Sequence, residues 1–350
     1  MRRSVAVCSV PARSVPARRS VLPRRGRKRA LAGASAALAL SVALSGCGLV
    51  SGSPMADDVH PGTLGRGEPL QGAELTVTSK EFTESIILGH IMGLAFQAAG
   101  AKVVDRTAIQ GSIGSREAVK SGAADAMYEY TGTSWITYLG HETPIVDSHE
   151  QWEAVREEDK KEGLSWLRPS TLNNTYVLTV SPKLQKKYGV KTLSDVAELS
   201  KKNPKAASLC VDNEFAARDD GLPGLMKKYG MKIPASRVHK MSNGVVYTQT
   251  AKGTPCTFGE VYATDGRIKA MGLKVLADDR HFFPNYDAAP EINSATLEKH
   301  PEIADVLDPI TKSLNNEVAR ELNAKVDVEG EDPHDVAKEW LVEKGFIKEG

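Results

Sequence analysis

The sequence lacks the short motifs that mark most enzymes and metalloproteins. Its 350 residues contain no Cys-x-x-Cys pair, no phosphate-binding Walker loop and no Gly-x-Ser-x-Gly nucleophile motif. The His-Glu pairs at His141 and His149 lack the second histidine of a zinc-binding helix, and the eight histidines are scattered. These absences argue against hydrolytic, redox and metal-dependent chemistry. We therefore expect a protein that is not an enzyme, with no catalytic residues, no cofactor and no metal.

The chain also has almost no net charge when it is taken whole, with 45 basic and 44 acidic side chains. Ten of the basic residues, and no acidic residue, precede residue 47. The remainder has 35 basic against 44 acidic side chains, an excess of nine acidic residues. Because a nucleic-acid partner requires a basic face, this composition argues against one.

The apolar run near the amino terminus is too short to span a bilayer. It covers residues 30–44, about 15 residues against the roughly 20 that a membrane helix needs. With the basic region before it and the ending Leu44-Ser45-Gly46-Cys47, it resembles a bacterial lipobox, so we predict a lipoprotein signal peptide over residues 1–46 and lipidation of Cys47. An ordinary signal peptide with an incidental cysteine is the alternative.

The segment over residues 47–72 is rich in Gly, Ser, Pro and Asp and has no apolar period, which predicts a flexible tether. Together with the lipobox it predicts an extracytoplasmic protein that is lipid-anchored to the outer face of the bacterial cell membrane.

Cysteine is scarce, with four residues in the chain. Cys8 would be removed with the signal peptide and Cys47 would carry the lipid. Cys210 and Cys256 would remain in an oxidising setting, where we expect a disulfide between them. Two separate buried thiols are the alternative.

The rest of the chain alternates between strand and helix patterns. Residues 74–79 alternate as a strand does, and the apolar side chains that follow from Ile87 recur at helical spacing. This alternation restarts at Tyr176, so two α/β units in tandem predict two lobes with parallel sheets. We place the first part of lobe 1 at residues 73–175, lobe 2 at 176–280 and a mostly helical return to lobe 1 at 281–350.

Four tyrosines lie in distinctive sequence contexts, and they are Tyr130, Tyr176, Tyr262 and Tyr286. Three of them sit on or beside predicted strand ends, where a doubly wound fold gathers its ligand contacts. Several ring faces that converge on one point suit a quaternary ammonium group, which has no N–H to donate. Lys80 and Arg218 are candidates to bind a carboxylate nearby. Each tyrosine could instead be half-buried in the core, and Arg218 could pair with Asp219 or Asp220.

Five motifs, in order along the chain, resemble the signatures of one family. They are Ser79-Lys80-Glu81-Phe82-Thr83-Glu84, Glu129-Tyr130-Thr131-Gly132-Thr133, Asn173-Asn174-Thr175-Tyr176, Asp212-Asn213-Glu214-Phe215 with Arg218-Asp219-Asp220-Gly221, and Tyr262-Ala263-Thr264-Asp265-Gly266-Arg267-Ile268. The family is the substrate-binding proteins of ABC importers for glycine betaine, choline and related osmoprotectants. Two positions depart from its pattern. Ser85 stands where a glutamine is common. Tyr128 stands where a proline is common and could supply a substitute aromatic ring at the ligand site.

The resemblance implies an α/β fold of the type II periplasmic-binding-protein class, with the ligand in a cleft between two lobes. It assigns a cage to the four tyrosines and the contacts to a carboxylate to Lys80, Thr133 and Arg218. It also implies delivery of a quaternary ammonium solute to an ABC permease with its ATPase. The charged donors favour glycine betaine over choline, with carnitine and proline betaine possible. We expect a monomer, and a sensor or an enzyme on the same scaffold is the alternative.

Overall fold

The secondary structure alternates between strands and helices along most of the chain, and the computed structural model describes residues 52–350. The strands are β1 (Ser53–Pro54), β2 (Val59–Pro61), β3 (Glu74–Lys80), β4 (Lys102–Ile109), β5 (Ala126–Tyr130), β6 (Leu164–Trp166), β7 (Tyr176–Val180), β8 (Leu209–Val211), β9 (Val238–Lys240), β10 (Phe258–Tyr262), β11 (Lys274–Val275), β12 (Ala288–Asn293) and β13 (Ile347–Glu349). The signal peptide predicted over residues 1–46 and the lipidation site predicted at Cys47 lie outside the described residues.

The helices are α1 (Thr83–Ala98), α2 (Ser112–Lys120), α3 (Thr131–Thr133), α4 (Ser148–Asp159), α5 (Pro182–Tyr188), α6 (Leu193–Lys202), α7 (Leu222–Tyr229), α8 (Asn243–Lys252), α9 (Arg267–Ala270), α10 (Ser294–Lys299), α11 (Ile303–Ser313), α12 (Asn316–Ala324) and α13 (Pro333–Glu343). Short 3₁₀ turns lie at Lys160–Glu162 and Ala235–Arg237, and π-helical turns at Ser134–Tyr138 and Lys325–Glu329. Among residues 52–350, no helix is both long and apolar enough to cross a lipid bilayer.

Two sheets form the centres of two lobes. The first has the strand order β1-β4-β3-β5-β12-β6, and the second has the order β11-β7-β10-β8-β9. In the first lobe β12 returns to the sheet beside β5, and α13 packs against α1, whose residues are buried on most sides.

The prediction of parallel sheets is correct for only part of each sheet. The strands β3, β4 and β5 are parallel to one another, and so are β8, β9 and β10. By contrast, β12 is antiparallel to β5, and β7 is antiparallel to β10. Parallel neighbours need a crossover connection, which the βα units supply. The chain enters β7 and β12 from the other lobe instead, so both sheets are mixed.

The chain crosses between the lobes in two segments, residues 167–175 and 276–287. These segments lie side by side, because Asn173 pairs with Asp287 in an antiparallel bridge. The backbone N–H of Asn174 also donates to the carbonyl of Tyr286 at 3.1 Å. The two connections therefore form one narrow junction at the base of the interlobe cleft.

The segment before β3 packs against the first lobe, contrary to the flexible tether predicted through residue 72. Strand β2 pairs with β13 at the end of the chain, and Leu64 and Leu70 are both buried. The backbone N–H of Leu70 donates to the carbonyl of Ala99 at 2.8 Å. Two isolated leucines produce no periodic pattern, so the composition of the segment concealed a packed strap.

The second lobe contains a disulfide between Cys210 and Cys256, whose Cα atoms lie 5.5 Å apart. Cys210 lies on β8, and Cys256 lies two residues before the neighbouring strand β10. Both cysteines are fully buried in a cluster with Val246 and Tyr247. The bridge therefore ties two adjacent strands of the sheet that lies behind the cleft.

Candidate functional site

A cleft of about 640 Å³ between the lobes is lined by every residue that the sequence assigned to ligand binding. These residues are Lys80, Tyr130, Thr133, Tyr176, Arg218, Tyr262 and Tyr286. The volume lies within the range of about 300–1,000 Å³ that is typical of small-molecule pockets. The cleft is therefore the candidate ligand site.

Strand pairing brings the tyrosines together from distant parts of the sequence. In the second lobe the antiparallel register of β7 and β10 makes Tyr176 the direct partner of Tyr262. In the first lobe Ala288 pairs with Tyr130, which brings Tyr286, two residues before Ala288, to the same edge of the sheet. Both pairs thus lie where the sheets face the cleft.

Gly132 allows Tyr286 to lie close to the backbone of the first lobe. A Cβ atom at residue 132 would lie 2.6 Å from the carbonyl oxygen of Asn285 and 2.8 Å from Cδ1 of the Tyr286 ring. A side chain at this position would displace the ring. The glycine of the Glu129–Thr133 motif therefore has a packing role beside the site.

Five aromatic rings form a continuous arc around the cleft. The distances between neighbouring ring centroids are 6.0 Å from Tyr130 to Phe82, 5.0 Å from Phe82 to Tyr262, 5.6 Å from Tyr262 to Tyr176 and 5.4 Å from Tyr176 to Tyr286. Sequence reasoning missed Phe82, which connects the rings of the two lobes. Its position directly after Lys80-Glu81, between β3 and α1, was the signal that could have identified it.

Carboxylates hold the hydroxyl ends of three of the tyrosines. The hydroxyl of Tyr130 donates to Glu84 at 2.8 Å and that of Tyr286 donates to Asp220 at 2.7 Å. The hydroxyl of Tyr262 makes a longer contact of 3.4 Å with Asp212. These contacts fix the orientation of the rings.

The tyrosines of the cleft are neutral phenols. Burial is the main cause that raises the pKa values of Tyr130, Tyr176, Tyr262 and Tyr286 well above the ordinary value, and nearby carboxylates raise them further. The rings therefore offer their π faces to a ligand, and none of them offers a phenolate charge.

Glu84 lies beneath the arc and connects four elements. Its side chain is buried and accepts hydrogen bonds from Tyr130, Asn174, Thr264 and Asn323. These donors belong to β5, the first crossing segment, the second lobe and α12. Burial raises the pKa of Glu84, although the four hydrogen bonds act in the opposite direction. The carboxyl group thus links both lobes to the crossing segment.

Lys80 and Arg218 are each paired with a carboxylate of the protein. Lys80 Nζ lies 2.5 Å from Glu129 Oε1. Arg218 donates through Nε to Asp220 at 2.7 Å and through Nη1 to Glu214 at 2.8 Å. Buried charges are costly unless they are paired, which accounts for the arrangement. The preference for carboxylated ligands treated Lys80 and Arg218 as donors to a ligand, whereas in the state described both are paired with the protein. The pairing of Arg218 with Asp220 is the alternative that the sequence left open.

The same two cations also lie over rings of the arc. Lys80 Nζ is 4.9 Å from the centroid of Tyr130, and Arg218 Cζ is 5.6 Å from that of Tyr176. Of the remaining charged residues in the lining, Arg267 pairs with Asp265, and Glu81, Asp212 and Glu214 add three carboxylates. Each of the three lining cations is balanced by a carboxylate that lies outside the lining. The three lining carboxylates therefore leave the cleft with an excess of negative charge, which suits a cationic ligand.

Glu214 bridges the two lobes across the cleft. Its oxygens accept hydrogen bonds from the backbone N–H of Ser112 at 3.1 Å and from the Ser112 hydroxyl at 2.5 Å, at the start of α2 in the first lobe. A second contact between the lobes is longer: Arg218 Nη2 lies 3.5 Å from the hydroxyl oxygen of Thr133. Sequence reasoning assigned no role to Glu214 or Ser112. The spacing of Glu214 and Arg218, four residues apart, was a signal for their pairing.

The two departures from the family pattern have structural roles. Ser85 is buried, and its hydroxyl accepts a hydrogen bond from the backbone N–H of Lys80 at 3.0 Å. Tyr128 is buried away from the cleft, with its hydroxyl 2.8 Å from that of Thr311. Tyr128 therefore does not serve as a substitute ring: it lies on the same face of β5 as Tyr130, but two residues farther from the end of the strand, where its hydroxyl reaches α11 and not the cleft.

Comparison with known proteins gives consistent matches over the described lobes. Residues 73–343 match the family model described as the substrate binding domain of ABC-type glycine betaine transport systems. The chain is 36% identical to the glycine-betaine-binding protein of Pseudomonas aeruginosa over 285 residues, covering 80% of this chain and 91% of that protein. It is 30% identical to the glycine betaine-binding protein YehZ of Escherichia coli over 287 residues, covering 80% of this chain and 94% of that protein.

A solved structure shares the architecture. The crystal structure of a glycine betaine/carnitine/choline ABC transporter protein superimposes with a TM-score of 0.63 at 29% sequence identity. The match covers 78% of this chain and 99% of that chain. All residues that line the cleft lie within residues 73–343, which match the family model.

Proposed function

The chain belongs to the family of substrate-binding domains of ABC-type glycine betaine transport systems, and we propose that it captures a quaternary ammonium osmoprotectant in its aromatic cleft and delivers it to an ABC permease and its ATPase. Membership confirms the predicted family, the type II periplasmic-binding-protein fold and the prediction of a binding protein that is not an enzyme. Glycine betaine is the ligand that we favour, because the relatives from Pseudomonas aeruginosa and Escherichia coli are named for it.

The observation that carries the proposal is the arc of five neutral rings from Tyr130 to Tyr286. A quaternary ammonium group cannot donate a hydrogen bond, so ring quadrupoles are the contacts that remain to it. Each contact contributes up to about 2 kcal/mol when water is excluded. Three or four such contacts, less the cost of ordering, are consistent with a dissociation constant on the order of 1 μM, or about −8 kcal/mol.

The electrostatics of the cleft support a cationic ligand. Glu84 and Asp220 accept hydrogen bonds from the hydroxyls of Tyr130 and Tyr286, so a carboxyl group lies at the hydroxyl edge of each of these rings. A negative charge close to a ring adds to the attraction that the ring face exerts on a cation. Tyr176 makes the most ring contacts of the arc and is the ring that we expect to matter most.

Proteins of this family act outside the cytoplasm, and we propose that this chain is held at the membrane by a lipid on Cys47, as a monomer. The lipobox supports the anchor, and the Cys210–Cys256 disulfide is consistent with an oxidising compartment. Mass spectrometry of the exported protein tests both modifications. An unmodified Cys47 in a processed protein would contradict the anchor.

The experiment that tests the binding function is calorimetry of the exported protein with glycine betaine, proline betaine, carnitine and choline. We expect binding in the micromolar range for at least one of them, and a loss of at least tenfold in Tyr176→Ala. The matched control is Tyr188→Ala on α5, which removes a tyrosine of the second lobe outside the cleft. Absence of heat with all four ligands, at protein concentrations far above micromolar, would refute the function.

A further inference from the structure

The carboxylate of Glu214 lines the cleft at a point where both lobes supply hydrogen-bond donors. Its two oxygens accept hydrogen bonds from the N–H and the hydroxyl of Ser112 and from Arg218 Nη1. Ser112 belongs to the first lobe and Arg218 to the second. The donors that could bind a ligand carboxylate across the cleft are therefore already satisfied by the protein.

The charge of the remaining cation near this end is also balanced by the protein. Lys80 Nζ forms a buried ion pair with Glu129 Oε1 at 2.5 Å. Arg218 also pairs with Asp220, through both Nε and Nη2. A ligand carboxylate that entered beside Arg218 would become the third anion around one guanidinium group. Such a crowding of like charges is unfavourable unless one of the anions leaves.

Glu214 is the anion that can leave. Asp220 is buried and also accepts a hydrogen bond from Tyr286, so its movement would disturb the arc of rings. The side chain of Glu214 is 30% exposed, against 2% for Asp220. Although partial burial acts to raise it, Lys80, Arg218 and Ser112 lower the pKa of Glu214 to about 2, so the group is a carboxylate at neutral pH.

We propose that Glu214 is a specificity-determining residue whose carboxylate fills the subsite for the anionic end of a ligand and must be displaced before a betaine can bind there. The proposal rests on the proposed function, since it concerns the selection among quaternary ammonium ligands. A ligand with a hydroxyl end, such as choline, binds with Glu214 in place. A ligand with a carboxylate end breaks the three hydrogen bonds of Glu214 to Ser112 and Arg218.

The test compares the dissociation constants of glycine betaine and choline in the wild type and in Glu214→Gln. The variant keeps the size of the side chain and removes the charge that competes with a ligand carboxylate. We expect glycine betaine to bind at least tenfold more tightly relative to choline than in the wild type. Choline itself should bind no better, because the variant removes a negative charge from a site for a cation.

Glu81→Gln is the matched control. Glu81 lines the same cleft and accepts a hydrogen bond from the backbone N–H of Gly111 at 3.0 Å, but it is not among the ion-pair partners of the lining cations. If the loss of any negative charge from the cleft were the cause, the ratio of the dissociation constants of glycine betaine and choline would change equally in both variants. The proposal predicts that only Glu214→Gln changes it strongly.

A second variant keeps the proposal testable if Glu214→Gln folds poorly. Glu214→Asp keeps the charge but is one methylene shorter, so it cannot reach both Ser112 and Arg218. We expect a smaller shift in the same direction. Binding of both ligands with an unchanged ratio in the two Glu214 variants would overturn this proposal alone. No binding of any quaternary ammonium ligand to the wild type would overturn the proposed function and this inference together.

Discussion

The hydroxyl and the ring of Tyr130 have different roles, and two substitutions separate them. The hydroxyl donates to the buried Glu84, whereas the ring is part of the arc around the cleft. Tyr130→Phe removes one of four hydrogen bonds to Glu84 and keeps the ring. Tyr130→Ala removes both.

The expected magnitudes follow from these contacts. A hydrogen bond to a buried charged group is worth about 1.5–3 kcal/mol, so Tyr130→Phe should lower the free energy of unfolding by about 2 kcal/mol. For a chain of this size the corresponding fall in Tm is about 4 °C. Its ligand affinity should stay within about threefold of the wild type. Loss of the ring in Tyr130→Ala removes a cation–π contact of about 1–2 kcal/mol, which weakens binding by roughly 5–30-fold.

Calorimetry with the tightest ligand measures the affinities, and thermal unfolding without ligand measures the stabilities. Tyr188→Phe is the control for the loss of a tyrosine hydroxyl outside the cleft. If Tyr130→Phe weakened binding as much as Tyr130→Ala, the hydroxyl and not the ring would hold the ligand. The assignment of Tyr130 to a cation–π cage would then be refuted.

Three further predictions follow from the same contacts. Burial raises the pKa of Glu84, so this carboxyl group stabilises the folded state most when it is protonated. The contribution is complete below about pH 4.3 and is lost as the pH rises through the folded-state pKa. The difference in the free energy of unfolding between wild type and Glu84→Gln should therefore shrink from acid to neutral pH in unfolding titrations. Replacing Cys210 and Cys256 by serine opens a loop with a sequence separation of 46 and should cost about 4 kcal/mol in denaturant unfolding, whereas an unchanged midpoint would contradict the role of the bridge. Arg218→Ala removes the guanidinium group that a ligand carboxylate would meet once Glu214 is displaced, so glycine betaine should bind more weakly relative to choline; an equal loss for both ligands would show that Arg218 acts only by holding Asp220 and Glu214.

Much of the site could be predicted from sequence because strand ends converge. Tyr130 and Tyr176 lie at the ends of strands, and the sheet geometry brings them to the cleft whatever the details of side-chain packing. The sequence did not reveal the antiparallel direction of β7 and β12, because a connection from another lobe has no local signal. It also did not reveal the packed strap before β3, which depends on two isolated leucines.

Of the charge pairs in the site, sequence reasoning named only that of Arg218 with Asp220, as an alternative to a ligand role for Arg218. Lys80 and Glu129 are 49 residues apart, and their contact depends on the neighbouring ends of β3 and β5. The contact of Glu214 with Ser112 depends on the approach of the two lobes. A sequence identifies such cations as candidates for ligand binding, but only the folded arrangement shows that carboxylates of the protein already hold them.

The measurement that tests the central claim most directly compares glycine betaine with the carboxylate 3,3-dimethylbutanoate, which has the same shape but a carbon atom in place of the quaternary nitrogen. Both compounds are titrated into the exported wild-type protein by calorimetry. The account predicts that glycine betaine binds at least about 30-fold more tightly, since two or more cation–π contacts of roughly 1 kcal/mol or more are lost with the charge. Equal affinity for the two compounds would contradict it, because the cleft would then recognise shape and apolar surface and not the cation.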